Sequence, residues 1–503
     1  MEESNFFQLR NGRYICDDEQ SRILSEIIAA NPFNSGNYRW DEMSMAELFA
    51  DVYKQNTLYC PEAKSWYTYD GTRWVRDVES LETMDRLMTF VTLLSLYANV
   101  ELQATAEQED YAKDFRKFIT KLSDRRSRDR MIRDAQTNAR IPISKFDSNP
   151  YLVNCLNGTY DLRKNQFYPH RSEDYLTMIA DCRFPTEVES VSFPRWDKFI
   201  QEITCDDAEM ALYLQRCLGY SLVGSSKEEC MFIAYGKTTR NGKGTLFNTI
   251  EKVLGDYAKA MPVDFICLNK YGSNNYDRAN PMLAALKGVR FVTLSESKSA
   301  GELDEAIIKN YTGGDSITTR NLHEKSFSFV PVFKMWLSCN SLPSVQDRSV
   351  FSSDRLKVIE FKAHFDEKNR DTTLKDQFLE PEARSVIFKW LIEGYKMYKK
   401  QGLKEPKAVK TAVENYEKSN DRVGMFVEER CELGANYRIK RGDLYNAYKS
   451  WCVANGLKYV NSPRFFEQIS IWAEAVKNKG NFEWKGIKLR ASTIQLDNSE
   501  VEK

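Results

Sequence analysis

The chain has 503 residues, with 72 Lys+Arg balanced by 72 Asp+Glu, 42% hydrophobic and 13% aromatic residues. That length sets an expectation of two to four domains with real cores, and the neutral balance excludes a globally basic nucleic-acid binder, so any such contact has to be local. The 11 cysteines include no C-x-x-C pair and the three histidines (His170, His323, His364) lie far apart, which disfavours a disulfide framework, a zinc site and a His-based metal centre.

No apolar run approaches the roughly 18–20 residues that span a bilayer. The start MEESNFFQLRNGR is not a signal peptide. The expectation is a soluble cytoplasmic protein with no membrane partner.

In chain order, residues 1–36 read as a weakly structured arm with one short helix near Asp18–Ala30. Residues 37–188 read as an α+β domain. Within it SWYTYDGTRWV alternates large and polar residues about Asp70-Gly71, the pattern of a β-hairpin. A helical tract runs from about Leu81 to Gln136. Its end, residues 116–133, carries eight basic and two acidic residues and reads either as a solvated helix face or as a nucleic-acid contact. Short strands and turns follow in LVNCLNGTYDLRKNQFYPHR.

Residues 189–228 read as a helical oligomerisation segment, with Trp196, Phe199, Ile200, Ile203, Leu212 and Leu214 as core candidates. An ATPase core is expected over 229–365. Its strand candidates are MFIAY (231–235), RFVTLSE (290–296), a hairpin within 316–330, FKMWLSCN (333–340) and LKVIEF (356–361). Strands alternating with helices imply an α/β core with a central, mostly parallel sheet. Residues 366–420 read as a helical lid or linker punctuated by Pro406. Residues 421–503 read as a winged-helix-like domain, with short helices around Arg441–Asn455 and Ser462–Ala475 and a β-wing at NFEWKGIKLR.

The chemistry is concentrated in MFIAYGKTTRNGKGTLFNTI (231–250). A strand, a Gly-flanked loop, a lysine and a helix in this order build a phosphate-binding loop. Backbone N–H groups and a helix N-terminus cradle phosphate oxygens, and Lys243 brings a point charge to the β/γ-phosphates. Gly236, Asn241, Gly242, Lys243, Gly244 and Thr245 are the expected nucleotide-binding residues. Five residues rather than four separate Gly236 from Gly242, and Gly244 stands where a Mg²⁺-binding Ser or Thr is usual. Thr245 is the nearest hydroxyl for the metal.

Glu296, after the strand 290–296, is the expected water-activating acid, with a secondary Mg²⁺ contact. Asn340, ending the next strand, can orient the attacking water. Arg355, just before LKVIEF, can reach a neighbouring subunit's nucleotide, with Arg348 as its rival. The tip of the hairpin carries His323 and Lys325, which can follow a phosphate backbone; the alternative is a hairpin that packs on the next subunit. Residues 437–490 hold 11 Lys/Arg against four Asp/Glu with interleaved aromatics. That excess fits DNA binding through Arg438, Lys440, Arg441 and Arg464; the alternative is a protein-docking module.

Taken together, GKTTRNGKGT, RFVTLSE, KNYTGGDSITTRNLHEKSFSF, PVFKMWLSCNSLP and DRLKVIEF resemble the superfamily III helicases of phages, plasmids and poxviruses. The likeness is to the phage/plasmid primase-helicase family related to the poxvirus primase-helicase. It extends through FDSNPYLVNCLNGTYDL, RCLGYSLVG, LYNAYKSWCVANG and WKGIKLR. The resemblance implies an AAA+-type P-loop core, a homo-hexameric ring, ATP with Mg²⁺, and 3′-to-5′ movement on single-stranded and forked DNA during replication of a phage or other mobile element. In a phage-encoded case the site of action is the bacterial cytoplasm. No primase active site is expected within this chain, so a separate primase or other replication proteins are the expected partners. The alternatives are an origin-binding initiator ATPase that melts DNA without sustained translocation, and a regulatory or defence ATPase.

Overall fold

A computed structural model describes residues 9–10, 13–14, 17–34, 36–102, 104–185, 193–268, 280–295, 301–320, 322, 326–345, 349–478 and 481–490. The first helix, Asp18–Ala30, opens on a capping box at Asp17 and buries Ile23 and Ile27. These side chains enter the same core as the helices Glu42–Val52, Leu81–Leu96, Glu109–Leu122 and Arg125–Asn138. This part of the expected arm is thus a helix of the N-terminal body. The expected helical tract 81–136 is three helices, because the chain turns extended at Leu102 and breaks again at Ser123–Asp124.

The hairpin at Asp70-Gly71 joins strands Ser65–Tyr69 and Trp74–Asp77, and Thr57–Cys60 adds a third strand. Asp70 Oδ1 accepts from the N–H groups of Thr72 (2.7 Å) and Arg73 (2.9 Å), which closes the turn. A second antiparallel sheet is built from Leu152–Cys155, Gly158–Asp161 and Gln166–Tyr168.

Helices α1 (Pro194–Ile203) and α2 (Ala208–Tyr220) lead to the main sheet. Trp196, Phe199, Ile200, Ile203 and Leu214 are buried as expected, but Leu212 is exposed. The buried stripe of α2 follows Met210, Tyr213, Leu214, Cys217 and Leu218 at helical spacing, and Leu212 falls off it. Next in sequence are β1 (Met231–Tyr235), α3 (Lys243–Leu254), β2 (Ala258–Pro262), β3 (Phe291–Ser295), β4 (Lys334–Cys339), β5 (Leu356–Glu360), α4 (Pro381–Gln401) and α5 (Lys407–Asn420). The five strands form one wholly parallel sheet in the order β2-β3-β4-β1-β5.

Alternation along these strands divides the core into two. Phe232, Ala234, Trp336 and Ile359 pack with α3 residues Leu246, Phe247 and Ile250. Met231, Ile233, Met335, Leu337, Leu356 and Val358 pack on the opposite face, where α5 contributes Ala412 and Tyr416.

Two buried cations sit at the amino edge of this sheet. Arg290 donates to the carbonyls of Leu222 and Leu152, both at 2.7 Å, over the ring of Tyr257. Lys334 donates to Val223 O, Ser225 O (3.2 Å) and Val332 O (2.8 Å), and burial pushes its pKa down. Both tie residues 222–225 to the sheet.

Helices α2 and α4 meet at two glycines. A Cβ on Gly219 would overlap backbone atoms of Gly394 and Tyr395, and one on Gly394 would overlap Gln215 O.

Helix Arg422–Arg430 opens the last body. It is followed by β6 (Cys431–Lys440), α6 (Arg441–Ala454), α7 (Ser462–Ile469), β7 (Glu474–Asn478) and β8 (Asn481–Leu489), the strands antiparallel in the order β6-β8-β7. The expected helix 462–475 ends at Ile469, its last buried residue, and Ala475 instead pairs with Trp484 across β7 and β8. The expected wing residues form β8. Strand β6 had no counterpart among the expected elements. Trp484, Phe465, Tyr448 and Phe426 centre a separate core here.

Candidate nucleotide site and basic surfaces

The loop after β1 is held by its neighbours on both sides. Strand β4 pairs with β1 so that Cys339 stands opposite Tyr235, and Gly236 N–H donates to Cys339 O at 3.2 Å. The residues that follow each strand, Gly236 and Asn340, therefore leave the sheet side by side. On the β5 side, Phe365 N–H donates to Arg240 O (2.8 Å) and His364 Nδ1 donates to Thr239 O (3.1 Å). Buried Asn241 folds back to donate to Thr238 O at 2.6 Å.

Helix α3 starts at Lys243 with Gly242 as its N-cap at φ +87°. A glycine takes this left-handed conformation at low cost and offers no side-chain cap, so the first N–H groups of α3 remain for another acceptor. The same glycine lies against α1, where an added Cβ would overlap Ile203 Cγ2. Lys243 is only 5% exposed, and its Nζ donates to Asn340 Oδ1 at 3.0 Å. A Cβ at Gly236 would come within 2.9 Å of that Nζ and 2.8 Å of Phe361 O. Gly244 is exposed, with nothing within 4 Å of an added Cβ.

A cleft of about 470 Å³ opens beside this loop, lined by Arg240, Asn241, Gly242, Gly244 and Thr245. Its far walls are Arg195, Phe199 and Glu202 of α1 and residues of 365–375, including Phe365, Asp371 and Lys375. Arg195 bridges the walls: its Nη1 lies 3.1 Å from Glu202 Oε2 and its Nε 3.5 Å from Asp371 Oδ2. Hydrogen bonding from the Thr373 hydroxyl, joined by the Arg195 guanidinium, holds Asp371 below the usual carboxylate range. Sequence reasoning missed Arg195, Glu202 and Asp371. They lie far from the loop in sequence, and their spacing carries no signal.

The structure thus brings together Gly236, Asn241, Gly242, Lys243, Gly244, Thr245 and Asn340. Glu296, His323, Lys325 and Arg348 lie outside the described residues. Strand β3, which leads toward Glu296, pairs its last residue Ser295 with Ser338 of β4. Further on, Asp304 caps the helix Glu305–Thr312, accepting from Ile307 N–H at 3.1 Å. Among the described residues no group of three or more His, Cys, Asp or Glu could hold a metal ion.

Arg355 stands apart from the loop. Its carbonyl accepts from Met231 N–H at 2.8 Å, at the amino end of β1. Its guanidinium binds Thr312 Oγ1 (2.7 Å), Glu229 O (3.3 Å) and Glu229 Oε2 (2.8 Å). The length of β1, roughly 16 Å at about 3.3 Å per residue, separates this edge from the loop at the carboxyl end.

In the last body, Arg438 and Lys440 are exposed on β6, and Arg438 Nη1 lies 3.8 Å from Glu483 Oε2. Arg441 sits over the rings of Phe466 (4.4 Å), Trp484 (4.8 Å) and Phe482 (5.6 Å), so it packs as much as it presents charge. Arg464, half-buried, lies in the first turn of α7.

Residues 46–205 match the family described as "D5 N terminal like", residues 418–499 the family described as "Poxvirus D5 protein-like", and residues 234–355 a family of unknown function. A protein named "Putative helicase L207/L206" of Acanthamoeba polyphaga mimivirus is 27% identical over 448 residues, covering 82% of this chain and 46% of that protein. "Putative primase C962R" of African swine fever virus (isolate Warthog/Namibia/Wart80/1980) is 22% identical over 339 residues, 62% of this chain and 34% of that protein. A solved structure titled "The apo structure of NrS-1 C terminal region (305-718)" aligns with a TM-score of 0.48 and 11% identity, over 90% of this chain and 100% of that one. The chain spans about half the length of the mimivirus relative. No helix among the described residues is long and apolar enough to cross a membrane.

Proposed function

Since the chain is a relative of the poxvirus D5-like proteins and of viral proteins named as helicases and primases, we propose that it is an ATP-hydrolysing DNA helicase of the superfamily III type. The observation that carries this reading is Lys243. It is buried at the start of α3, 3.0 Å from Asn340, where two adjacent parallel strands end beside a cleft of about 470 Å³. A buried lysine at a helix N-terminus is placed to meet phosphate oxygens, and Asn340 to meet the γ-phosphate or the attacking water. The base and ribose would occupy the cleft between α1 and residues 365–375.

Thr245 lines the cleft, and an added Cβ at Gly244 beside it would meet only open space. The Thr245 hydroxyl and Glu296 are the residues that would hold a Mg²⁺ ion. The chemistry it would supply is positive charge against the phosphates. Glu296 is the proposed base for water. Arg355 lies at the opposite edge of the sheet from its own loop, which suits an arginine that serves the nucleotide of a neighbouring subunit in a ring. Single-stranded and forked DNA are the proposed substrates, with 3′-to-5′ movement, a homo-hexamer as the working assembly and a separate primase as partner. The hairpin Ile317–Thr319/Phe327–Phe329, with His323 and Lys325 between its strands, is the proposed DNA-gripping element.

The test is Lys243→Ala in the full chain. ATP hydrolysis and strand displacement on forked DNA should both be lost while the far-ultraviolet dichroism is kept. Parental hydrolysis by the folded variant would remove the site assignment. Parental hydrolysis in the unmodified chain without strand displacement would favour the initiator alternative.

A further inference from the structure

We propose that the outward face of the helix Arg125–Asn138 binds the backbone of double-stranded nucleic acid. Ser127, Met131, Ile132 and Ala135 are its buried side, packed on the helix Glu42–Val52. Positions i, i+4 and i+7 on the opposite side are Arg126, Arg130 and Arg133, all exposed. Arg130 is anchored by Glu42 at 3.1 Å yet keeps 65% of its side chain open to solvent. Among the described residues, Arg126 and Arg133 have no acidic partner.

The preceding helix shows the contrast. There Lys113 is matched by Asp110 (3.2 Å) and Lys117 by Asp114 (3.1 Å). The helix Arg125–Asn138 carries five arginines against two acids, Asp129, which pairs with Arg125 at 3.9 Å, and Asp134. Its excess charge also lies where helix electrostatics oppose it: Arg125, Arg126 and Arg128 crowd the first turn, which contains no acid, and Asp124 makes no side-chain cap. An anion laid along this face relieves that repulsion.

Spacing and composition select the partner. Arg126 and Arg133 are about 10.5 Å apart along the axis at about 1.5 Å per residue. Each strand of a duplex advances one phosphate about every 3.4 Å of its axis, so the row spans about three backbone steps. The sequence RRSRDRMIRDAQTN contains no aromatic residue, so it offers no platform on which unpaired bases could stack. A surface of guanidinium groups without rings fits a duplex backbone read without regard to sequence.

The inference stands apart from the ATPase reading, because its test needs no nucleotide. Binding of the full chain to a fluorescent duplex and to a single strand is measured against salt, for the parent and for Arg126→Ala/Arg133→Ala. Both are repeated in an Arg438→Ala/Lys440→Ala background, so that the C-terminal body does not mask the effect. Loss of two phosphate contacts should lower the log–log salt slope on duplex by about 1.8, which is about 30-fold in affinity at about 0.15 M salt. Arg126→Lys/Arg133→Lys should keep the slope, and basal ATP hydrolysis should not change. Unchanged affinity and slope in the alanine variant would overturn the proposal and leave the face to solvent or to an acidic protein. A loss confined to the single strand would overturn the assignment to duplex.

Discussion

Replacing Gly242 with alanine should damage both stability and turnover, for separable reasons. The residue sits at φ +87°, where an L side chain costs roughly 1–2 kcal/mol. The new Cβ would also overlap Ile203 Cγ2, on a side chain only 1% exposed. Ile203 has no solvent to swing into, so α1 or the loop has to shift, at roughly 1–3 kcal/mol. The total is roughly 2–5 kcal/mol. Ile203→Ala alone leaves a cavity, at roughly 2–5 kcal/mol. In the double variant the overlap disappears while the backbone cost remains. The double variant should therefore be more stable than the sum of the singles by the packing part, roughly 1–3 kcal/mol. Urea unfolding followed by tryptophan fluorescence measures this cycle. Lys243 is the next residue, so a shift of about 1 Å in the loop should cost about a hundredfold in ATP turnover, partly regained in the double variant. Additivity within about 0.5 kcal/mol, or full ATP turnover in Gly242→Ala, would refute the claim that α1 sets the position of the loop.

Asn340→Ala removes the acceptor 3.0 Å from Lys243 Nζ. ATP binding should survive and single-turnover hydrolysis should fall by about 10²–10³, as for other positioned polar groups. Arg355→Ala should hydrolyse ATP slowly, and mixing it with excess Lys243→Ala should restore part of the rate. No rescue, together with full activity of Arg348→Ala, removes an inter-subunit role from both arginines. Glu296→Gln should bind ATP but not turn it over, because an amide is a poor base; parental hydrolysis by this variant redirects the search to another acid. Arg438→Ala/Lys440→Ala should weaken duplex binding and lower the salt slope by about 1.8, and an unchanged slope clears β6 of DNA contact.

The strand–loop–helix unit around Lys243 was legible because two signals coincide there. An apolar strand ends at a glycine, and a lysine opens an amphipathic helix, so periodicity and chemistry agree. Pairing between distant segments left no such mark. Nothing local says that β4 lies beside β1, or that Arg195 of α1 faces Asp371 across the cleft. Lys334 reads as the polar start of a strand, yet it is buried because three carbonyls converge on it. The end of α7 was overrun because SIWAEA carries apolar residues compatible with either period, and only pairing with β8 makes Ala475 a strand residue. The place of Arg355 could have been inferred. A residue just before a strand of a parallel sheet lies at the edge opposite the loops that follow the strands.

The touching glycines of α2 and α4 bear on how this protein can move. With Gly219 and Gly394 in backbone contact, neither helix can slide or roll on the other without a collision. One wall of the cleft belongs to α1, which hands the chain to α2; the other belongs to residues 365–375, which lead to α4. The two walls are thus jaws mounted on one welded axle. Opening and closing by a swing of one wall against the other is opposed at that joint. The stretch between β1 and α3 is no freer, because it is hydrogen-bonded to Cys339 and Phe365 and packed on Ile203 of α1. A ligand entering the cleft would then meet loop and walls already at their working separation, beside Lys243 at the start of α3 and Asn340 after β4.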